Sequence, residues 1–329
     1  MIGVYRVLVT AAASPFPSAV AERLLDRPDV ESVVMVDTEA PDPLPNTTVI
    51  GLGASYGQLR DVIGDHGIDT VIHGALSSDR LGGTGSSHDA DVIDTLHVAA
   101  VAADLAGPVR KIVALSSTAR YEAGPESAQF RHEHEVFTPP RDGSYAASLA
   151  EAEEYLVALA DQRPNLTISI LRLADLAGPK MTSPLSAMLR RPMAPLYFGF
   201  DPMVQFLHVD DALDAVEHAV QEDLAGTYNV ASRGHIEWSR SIRLSRTAAV
   251  PILPPTLDPL TPFWQLVGGG IVPPGLAKTL QFGRVASTDR LKATGYVASH
   301  TVDDCVRLLR PSGPKPAVRR LAPARSVRH

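Results

Sequence analysis

Six strand-like runs punctuate the first 173 residues: YRVLVT (5–10), SVVMVD (32–37), NTTVIG (46–51), DTVIHGA (69–75), RKIVALSS (110–117) and LTISILRL (166–173). Most are β-branched and nearly continuous in apolar side chains, as strands covered on both faces must be. Helical patterns fill most of the gaps, over 18–26, about 56–65, about 88–105 and 144–162, the last with Leu149, Leu156 and Leu159 at helical spacing. Strand and helix in strict turn leave a chain few choices. Each pair of parallel strands needs a right-handed crossover, and the crossovers cover both faces of one sheet. The expected class is α/β, with a doubly wound parallel sheet.

The rhythm breaks at 176–204, which carries five prolines, and again over 248–280, which is rich in proline and glycine. Both read as loops and small elements over the strand ends, where open α/β sheets bind ligands. The division expected is a core over 1–175 to which 205–232 returns, and a smaller C-terminal substrate-binding or lid region over 176–204 and 233–310. The stretch from Pro311 holds Lys315, Arg319, Arg320, Arg325 and Arg328 and no acid. It reads as a basic, disordered tail over 311–329.

Composition excludes more than it selects. The net charge of −7 argues against a general nucleic-acid binder. The lone cysteine, Cys305, permits no intrachain disulfide and reads as a packing residue. No run approaches a membrane span, and the first strand begins within a few residues of Met1, so a cytoplasmic protein without membrane contact is expected. His132, Glu133, His134 and Glu135 lie together but lack a separated third ligand, and no metal is expected there.

The turn between the first strand and helix, AAASPFP (11–17), contains no glycine. In a dinucleotide site, glycines permit the tight bend, the approach of the pyrophosphate and close packing of helix on strand. Ala11, Ser14 and Pro17 occupy the three positions of a TGxxGxxG pattern. The methyl of Ala11 is tolerable if its φ is negative. Pro17 suits a first helical turn, and Ser18 is placed to cap the helix or meet a phosphate. The strand–turn–helix survives as a weaker anion cradle. Without two backbone or polar interactions worth ~1–1.5 kcal/mol each, dinucleotide affinity would fall by about one to two decades.

Together with this turn, VRKIVALSSTARY, SYAASLAEAEEYL, ILRLADLAGP, VQFLHVDDALDAV, GTYNVAS and STDRLKATGY stand in an order that resembles the extended short-chain dehydrogenases/reductases, the nucleotide-sugar epimerase/dehydratase family, over roughly residues 4–310. The likeness is greatest to actinobacterial epimerase-like members. It implies a Rossmann-like, dinucleotide-binding core and hydride transfer to or from a small-molecule carbonyl or alcohol, as a ketoreductase or epimerase. It maps a catalytic serine to Ser117, the catalytic tyrosine to Tyr145, and the asparagine preceding the crossover helix to Asp91. Cofactor contacts map to Ala11, Ser14, Phe16, Pro17, Asp37, His73, Ala75, Leu115, Tyr145 and Leu173. Asp37 would hold the adenosine ribose, so NAD(H) is expected over NADP(H). Family members often pair through two helices, which here are 88–105 and 144–162. Ala147, Ala150 and Ala158 would permit close approach in a homodimer.

The departures are equally specific. Leu149 replaces the lysine that binds the nicotinamide ribose and lowers the tyrosine pKa. Leu52 replaces an acid near the adenine, and Val204 replaces the arginine that clamps a sugar-nucleotide diphosphate. An unassisted phenol donates a proton more readily than it accepts one, which favours reduction. Val204 argues against a diphosphate sugar, and Tyr197, Phe198, Phe200, Met203 and Phe206 either line a pocket for an apolar or cyclic molecule or pack the lid. Arg172, inside an apolar strand, reads as half of an internal ion pair, and His73 as a support for its strand end. His208, Asp210 and Asp211 are expected at a helix start, with an aspartate as its cap. Three functions remain open: a nicotinamide-linked oxidoreductase, a catalytically silent binding protein on the same fold, and a non-redox lyase or isomerase using Tyr145.

Overall fold

The computed structural model describes residues 4–38, 40–52, 55–76, 88–104, 107–128, 130–135, 144–252 and 276–311. The chain runs through β1 (Tyr5–Thr10), α1 (Pro15–Leu25), β2 (Val30–Asp37), β3 (Thr48–Gly51), α2 (Tyr56–Asp65), β4 (Thr70–His73), α3 (His88–Ala102), β5 (Lys111–Ser117), α4 (Tyr145–Gln162) and β6 (Thr167–Leu173). It continues through β7 (Asp175–Gly178), β8 (Met181–Thr182), α5 (Pro184–Leu189), β9 (Met193–Tyr197), β10 (Met203–Val204), β11 (Phe206–His208), α6 (Val209–Gln221) and β12 (Gly226–Val230). It ends with β13 (Ile236–Glu237), α7 (Trp238–Ser245), β14 (Ala248–Ile252), α8 (Leu276–Phe282), α9 (Asp289–Lys292) and α10 (Val302–Leu308).

Seven strands form one parallel sheet in the order β12-β6-β5-β4-β1-β2-β3. The order reverses at β1, and ligands of such sheets bind at the carboxyl ends of the strands on either side of that point. The pleat divides β1 between two cores. Val7 and Val9 join Phe16, Val20 and Leu24 of α1 and Ala212, Ala215 and Val216 of α6, while Leu8 faces Ile63, Val98 and Leu156. A third cluster, with Trp238, Phe206, Leu189 and Val306, belongs to the C-terminal segments and their small sheets. Among the described residues no helix is long and apolar enough to cross a membrane.

The strands fall where their β-branched runs place them, with differences at the ends. The third and fourth are shorter than expected, at 48–51 and 70–73. Helix α1 starts at Pro15, not 18, because Pro15 brings a preset φ to its first position. Ser18 N donates to Ser14 O within that helix, so Ser18 is not its cap. At α6 the cap is His208, whose Nδ1 accepts from Asp210 N, and neither aspartate takes that place. Ala150 is fully buried and belongs to the inner side of α4, contrary to its expected place on an outer face. Segment 176–204 holds short elements, most of β7 and then β8, α5, β9 and β10, joined by loops. Most of the tail from 311, and the centre of the 248–280 stretch, lie outside the described residues.

Candidate functional site

The turn after β1 is closed by its own backbone. Ala12 N donates to Val36 O, Ser14 N to Ala11 O, and Ala13 N to the Asp37 carboxylate at 3.0 Å. Pro15 and Pro17 have no N–H. The donors of residues 12, 13 and 14 are therefore already bonded within the protein, and 15 and 17 never had them. These are most of the donors with which a strand–turn–helix holds a pyrophosphate. Ala11 has a φ of 55°, in the left-handed region and opposite in sign to the condition under which its methyl is tolerable. The ring of Phe16 is fully buried in the core, and Ser14 makes no side-chain cap bond. Pro17 fills the position of the third glycine, and the close approach of helix to strand is made possible by Gly74 on the opposing strand end.

The side expected to face an adenosine is more open. Asp37 ends β2 half-exposed, with Oδ1 accepting from Thr38 N at 2.7 Å. With Thr38, Leu52, Ser55, Leu59, Asp94 and His97 it borders a cavity of about 50 Å³. His73 closes the inner wall. Thr95 Oγ1 donates to Asp91 O, so it accepts from His73 Nε2; His73 Nδ1 then accepts from Thr10 Oγ1, which accepts from Gly74 N. His73 is thus a buried strut between β1, β4 and α3, in the supporting role its position suggests. Asp91 is buried on α3, Ala75 is buried beside Gly74, and Leu115 and Leu173 are fully buried on the neighbouring strands β5 and β6.

At the expected reaction centre both hydroxyls are engaged by the protein's own backbone. Ser117 ends β5 buried, and its hydroxyl accepts from Ala119 N to cap the single turn 118–120. Tyr145, the first residue of α4, donates its hydroxyl to Leu76 O at 2.8 Å. One turn on, Leu149 is fully buried in a small apolar cluster with Leu76 and Ala152, against Ala119 and Tyr145. The place where the family's lysine would hold a ribose is an apolar plug.

Below this plug lies a buried network that centres on Glu153, a residue not singled out from the sequence. Its carboxylate accepts from Ser116 Oγ at 2.6 Å and from Arg172 Nη2 at 2.6 Å, and Arg120 Nε lies 2.8 Å away without hydrogen-bond alignment. Arg172 Nη1 also donates to Tyr121 Oη, which donates to Asn229 Oδ1. Burial is the largest influence on Arg172 and opposes its cation, but the charge and hydrogen bonds of Glu153 and Tyr121 together outweigh it, so its pKa lies above the ordinary value. Burial dominates at Arg120, whose pKa is lowered. The internal pair expected for Arg172 is present. Its partner was legible as the one acid between Leu149 and Leu156 on the inward stripe of α4. A second missed pair, Arg284 with Asp175 at 3.0 Å, ties the C-terminal segments to β7.

The remaining positions are structural in their surroundings. Val204 is fully buried in the third cluster with Ile236 and Leu280. Tyr197 and Phe206 pack there too, Phe200 meets Phe282 edge-on at 5.7 Å, and Phe198 is exposed. His132 stacks with His134, and Glu133 accepts from Asn229 N. Cys305 is fully buried, and burial pushes its thiol up to about 12.

Comparison with known proteins agrees with this geometry at the level of fold and family. The NAD dependent epimerase/dehydratase family matches residues 7–231. The Mycobacterium tuberculosis protein Rv0501 is 30% identical over 253 residues, which cover 75% of this chain and 67% of that protein. Among solved structures, the Bordetella bronchiseptica enzyme WbmG in complex with NAD and UDP superposes with a TM-score of 0.70 at 16% identity, covering 93% of each chain. The dTDP-glucose 4,6-dehydratase of Bacillus anthracis in complex with NAD gives 0.68 at 15% identity, over 92% of this chain and 94% of that one. The UDP-glucose 4-epimerase of Thermotoga maritima with UDP-glucose gives 0.68 at 17%, over 92% and 97%. On the family match and the 30% relative, this chain is a member of the NAD-dependent epimerase/dehydratase family.

Proposed function

We propose that this chain is a binding member of its family: it takes NAD(H) weakly, through the adenosine end, and does not carry out the family's tyrosine–lysine hydride transfer. The observation that carries this reading is Leu149, fully buried in the plug that also engages Tyr145. A ribose-binding cation has no place there. The closed backbone of the first turn points the same way, because it leaves the pyrophosphate few donors. Asp37 supports retention of the adenosine contact, since a carboxylate has room for ribose hydroxyls beyond Ala13 N, Thr38 N and Thr38 Oγ1. Its charge disfavours a 2′-phosphate, so NAD(H) is preferred to NADP(H). The second reading, slow reduction of an apolar or cyclic carbonyl with Ser117 and Tyr145, is favoured by one fact: Tyr145 holds its proton as a donor.

The proposal includes a cytoplasmic homodimer joined through α3 and α4. Ile93 and Leu96 on α3, and Tyr155 on α4, are large and exposed, as a helix-pair interface requires. The test is titration of the full chain with NADH, NADPH, NAD⁺ and adenosine, followed by NADH oxidation assays with ketones, quinones and sugar nucleotides. Weak NADH binding, competition by adenosine at similar concentration and no turnover support the proposal. Turnover that Tyr145→Phe abolishes would establish the second reading instead.

A further inference from the structure

We propose that His208, Asp210 and His300 form a binding site for a divalent transition-metal ion. The three come from separate places: His208 ends β11 and caps α6, Asp210 lies in the first turn of α6, and His300 precedes α10. One donor atom from each lies within 4.8 Å of the other two. The two imidazoles stack with centroids 3.7 Å apart and planes 11° from parallel, so one ring must turn out of the stack before both in-plane lone pairs meet one ion; His208 Nδ1 is 3.6 Å from Asp210 Oδ2. Two imidazoles and a carboxylate suit zinc, cobalt, nickel or ferrous iron, and suit magnesium or calcium poorly.

The support behind the ligands argues for a site rather than a chance cluster. His300 Nδ1 lies 3.0 Å from Oδ1 of Asp211, which is fully buried. Asp211 also accepts from Ser232 Oγ, Ser299 N and His300 N, so it is held in place as an acceptor. His300 therefore donates from Nδ1 and keeps its lone pair at Nε2. A carboxylate behind a histidine is the usual way a metal-binding ring is oriented. His208 would use Nδ1, which now accepts from Asp210 N at 3.2 Å. A metal must displace that bond and stand near the positive end of α6. The charges of Asp210 and Asp211 offset that field.

The ligand atoms must draw together to reach bonds of about 2.0–2.2 Å. The mobile partners are the exposed ones: the Asp210 side chain is 58% accessible and that of His300 34%, against 12% for His208. The remaining coordination positions face solvent and would hold water. The other paired histidines, His132 and His134, flank Glu133, which accepts from Asn229 N of β12, and none of the three belongs to this cluster.

The experiment is calorimetric titration of the chelator-treated full chain with Zn²⁺ and with Ni²⁺. Folding is checked by circular dichroism, and the Co²⁺ complex by its visible spectrum. One ion per chain is expected. His300→Ala and Asp210→Asn should each lower the affinity at least about tenfold and change the Co²⁺ spectrum. Asp210 is exposed, so that variant tests the site even if His300→Ala folds poorly. The double variant His132→Gln, His134→Gln should bind as the parent does. No saturable binding, binding unchanged in the Asp210 variant, or binding lost in the double variant would each overturn the proposal.

Discussion

Pro17 of α1 lies directly over Gly74: a Cβ at Gly74 would stand 2.7 Å from Pro17 Cγ and 2.5 Å from the Thr10 carbonyl oxygen. The close packing that a glycine motif provides from the helix side is provided here from the β4 side. Gly74→Ala should therefore destabilise the fold by about 2 kcal/mol, the cost of overpacking a rigid contact. Adding Pro17→Ala should recover only part of this, because the clash with Thr10 is with backbone. Urea denaturation of the two single variants and the double variant measures both effects. A Gly74→Ala protein as stable as the parent would show that the contact relaxes freely.

Ala11 offers the opposite change. At a φ of 55° it holds a left-handed turn against the sterics of its methyl group. That conformation costs an L-residue roughly 1–2 kcal/mol, and glycine's freedom in the unfolded chain offsets roughly 0.5–1 kcal/mol of the gain. Ala11→Gly should stabilise by about 0.5–1 kcal/mol, and Ala11→Val should destabilise by more than about 1 kcal/mol. The ordering Gly, Ala, Val in thermal midpoint is the check.

The strand runs were legible because a strand covered on both faces has to be apolar throughout, and β5, with every residue buried, is the clearest case. Pattern alone did not reveal the fate of the first turn. Its sequence retains the spacing of a glycine motif, while its hydrogen bonds join Ala12 and Ala13 to β2 across the chain. The plug around Leu149 was visible as a missing lysine, but whether a leucine there meets solvent or the core depends on Leu76 and Ala119. His208 and His300 are distant in sequence, so their stacking leaves no local signal at all.

The Glu153 network predicts an asymmetry. Replacing Glu153 by Gln leaves both Arg172 and Arg120 buried without an anion, whereas replacing Arg172 by Gln leaves Glu153 beside Arg120. Glu153→Gln should cost about 3–5 kcal/mol, and Arg172→Gln should cost less. Denaturant midpoints of the two variants decide it, and equal losses would mean that Arg120 contributes nothing to holding Glu153.

Cys305 should make the fold weaker in alkali. Burial raises its pKa from 9.0 to about 12, so between those values the unfolded chain gives up the thiol proton and the folded chain keeps it. The contribution is fully present below pH 9 and is lost as pH rises through that window, by at most about 1.4 kcal/mol per pH unit. Cys305→Ala should lower stability at pH 8 through poorer packing and flatten its decline above pH 9. A slope unchanged by the substitution would assign the decline to other groups, the buried Tyr121 and the half-buried Tyr296 among them.

Leu149→Lys tests the plug itself. In a centre merely lacking its cation, the added ammonium would meet a ribose, favour the Tyr145 phenolate and shift any alcohol oxidation to lower pH. In the structure, position 149 is fully buried among Leu76, Ala152 and Ala119. An unpaired charge there should destabilise the protein by about 3–5 kcal/mol. Its loss of stability should lessen at high pH, where a buried lysine sheds its proton more readily. The variant should gain neither NAD⁺-dependent alcohol oxidation nor tighter NADH binding. Parallel measurement of urea stability across pH and of NAD⁺ reduction with an alcohol panel separates the cases. A Leu149→Lys protein that keeps parental stability and acquires oxidation lost again in Tyr145→Phe would show an open, dormant redox centre, and the binding-protein reading would fall.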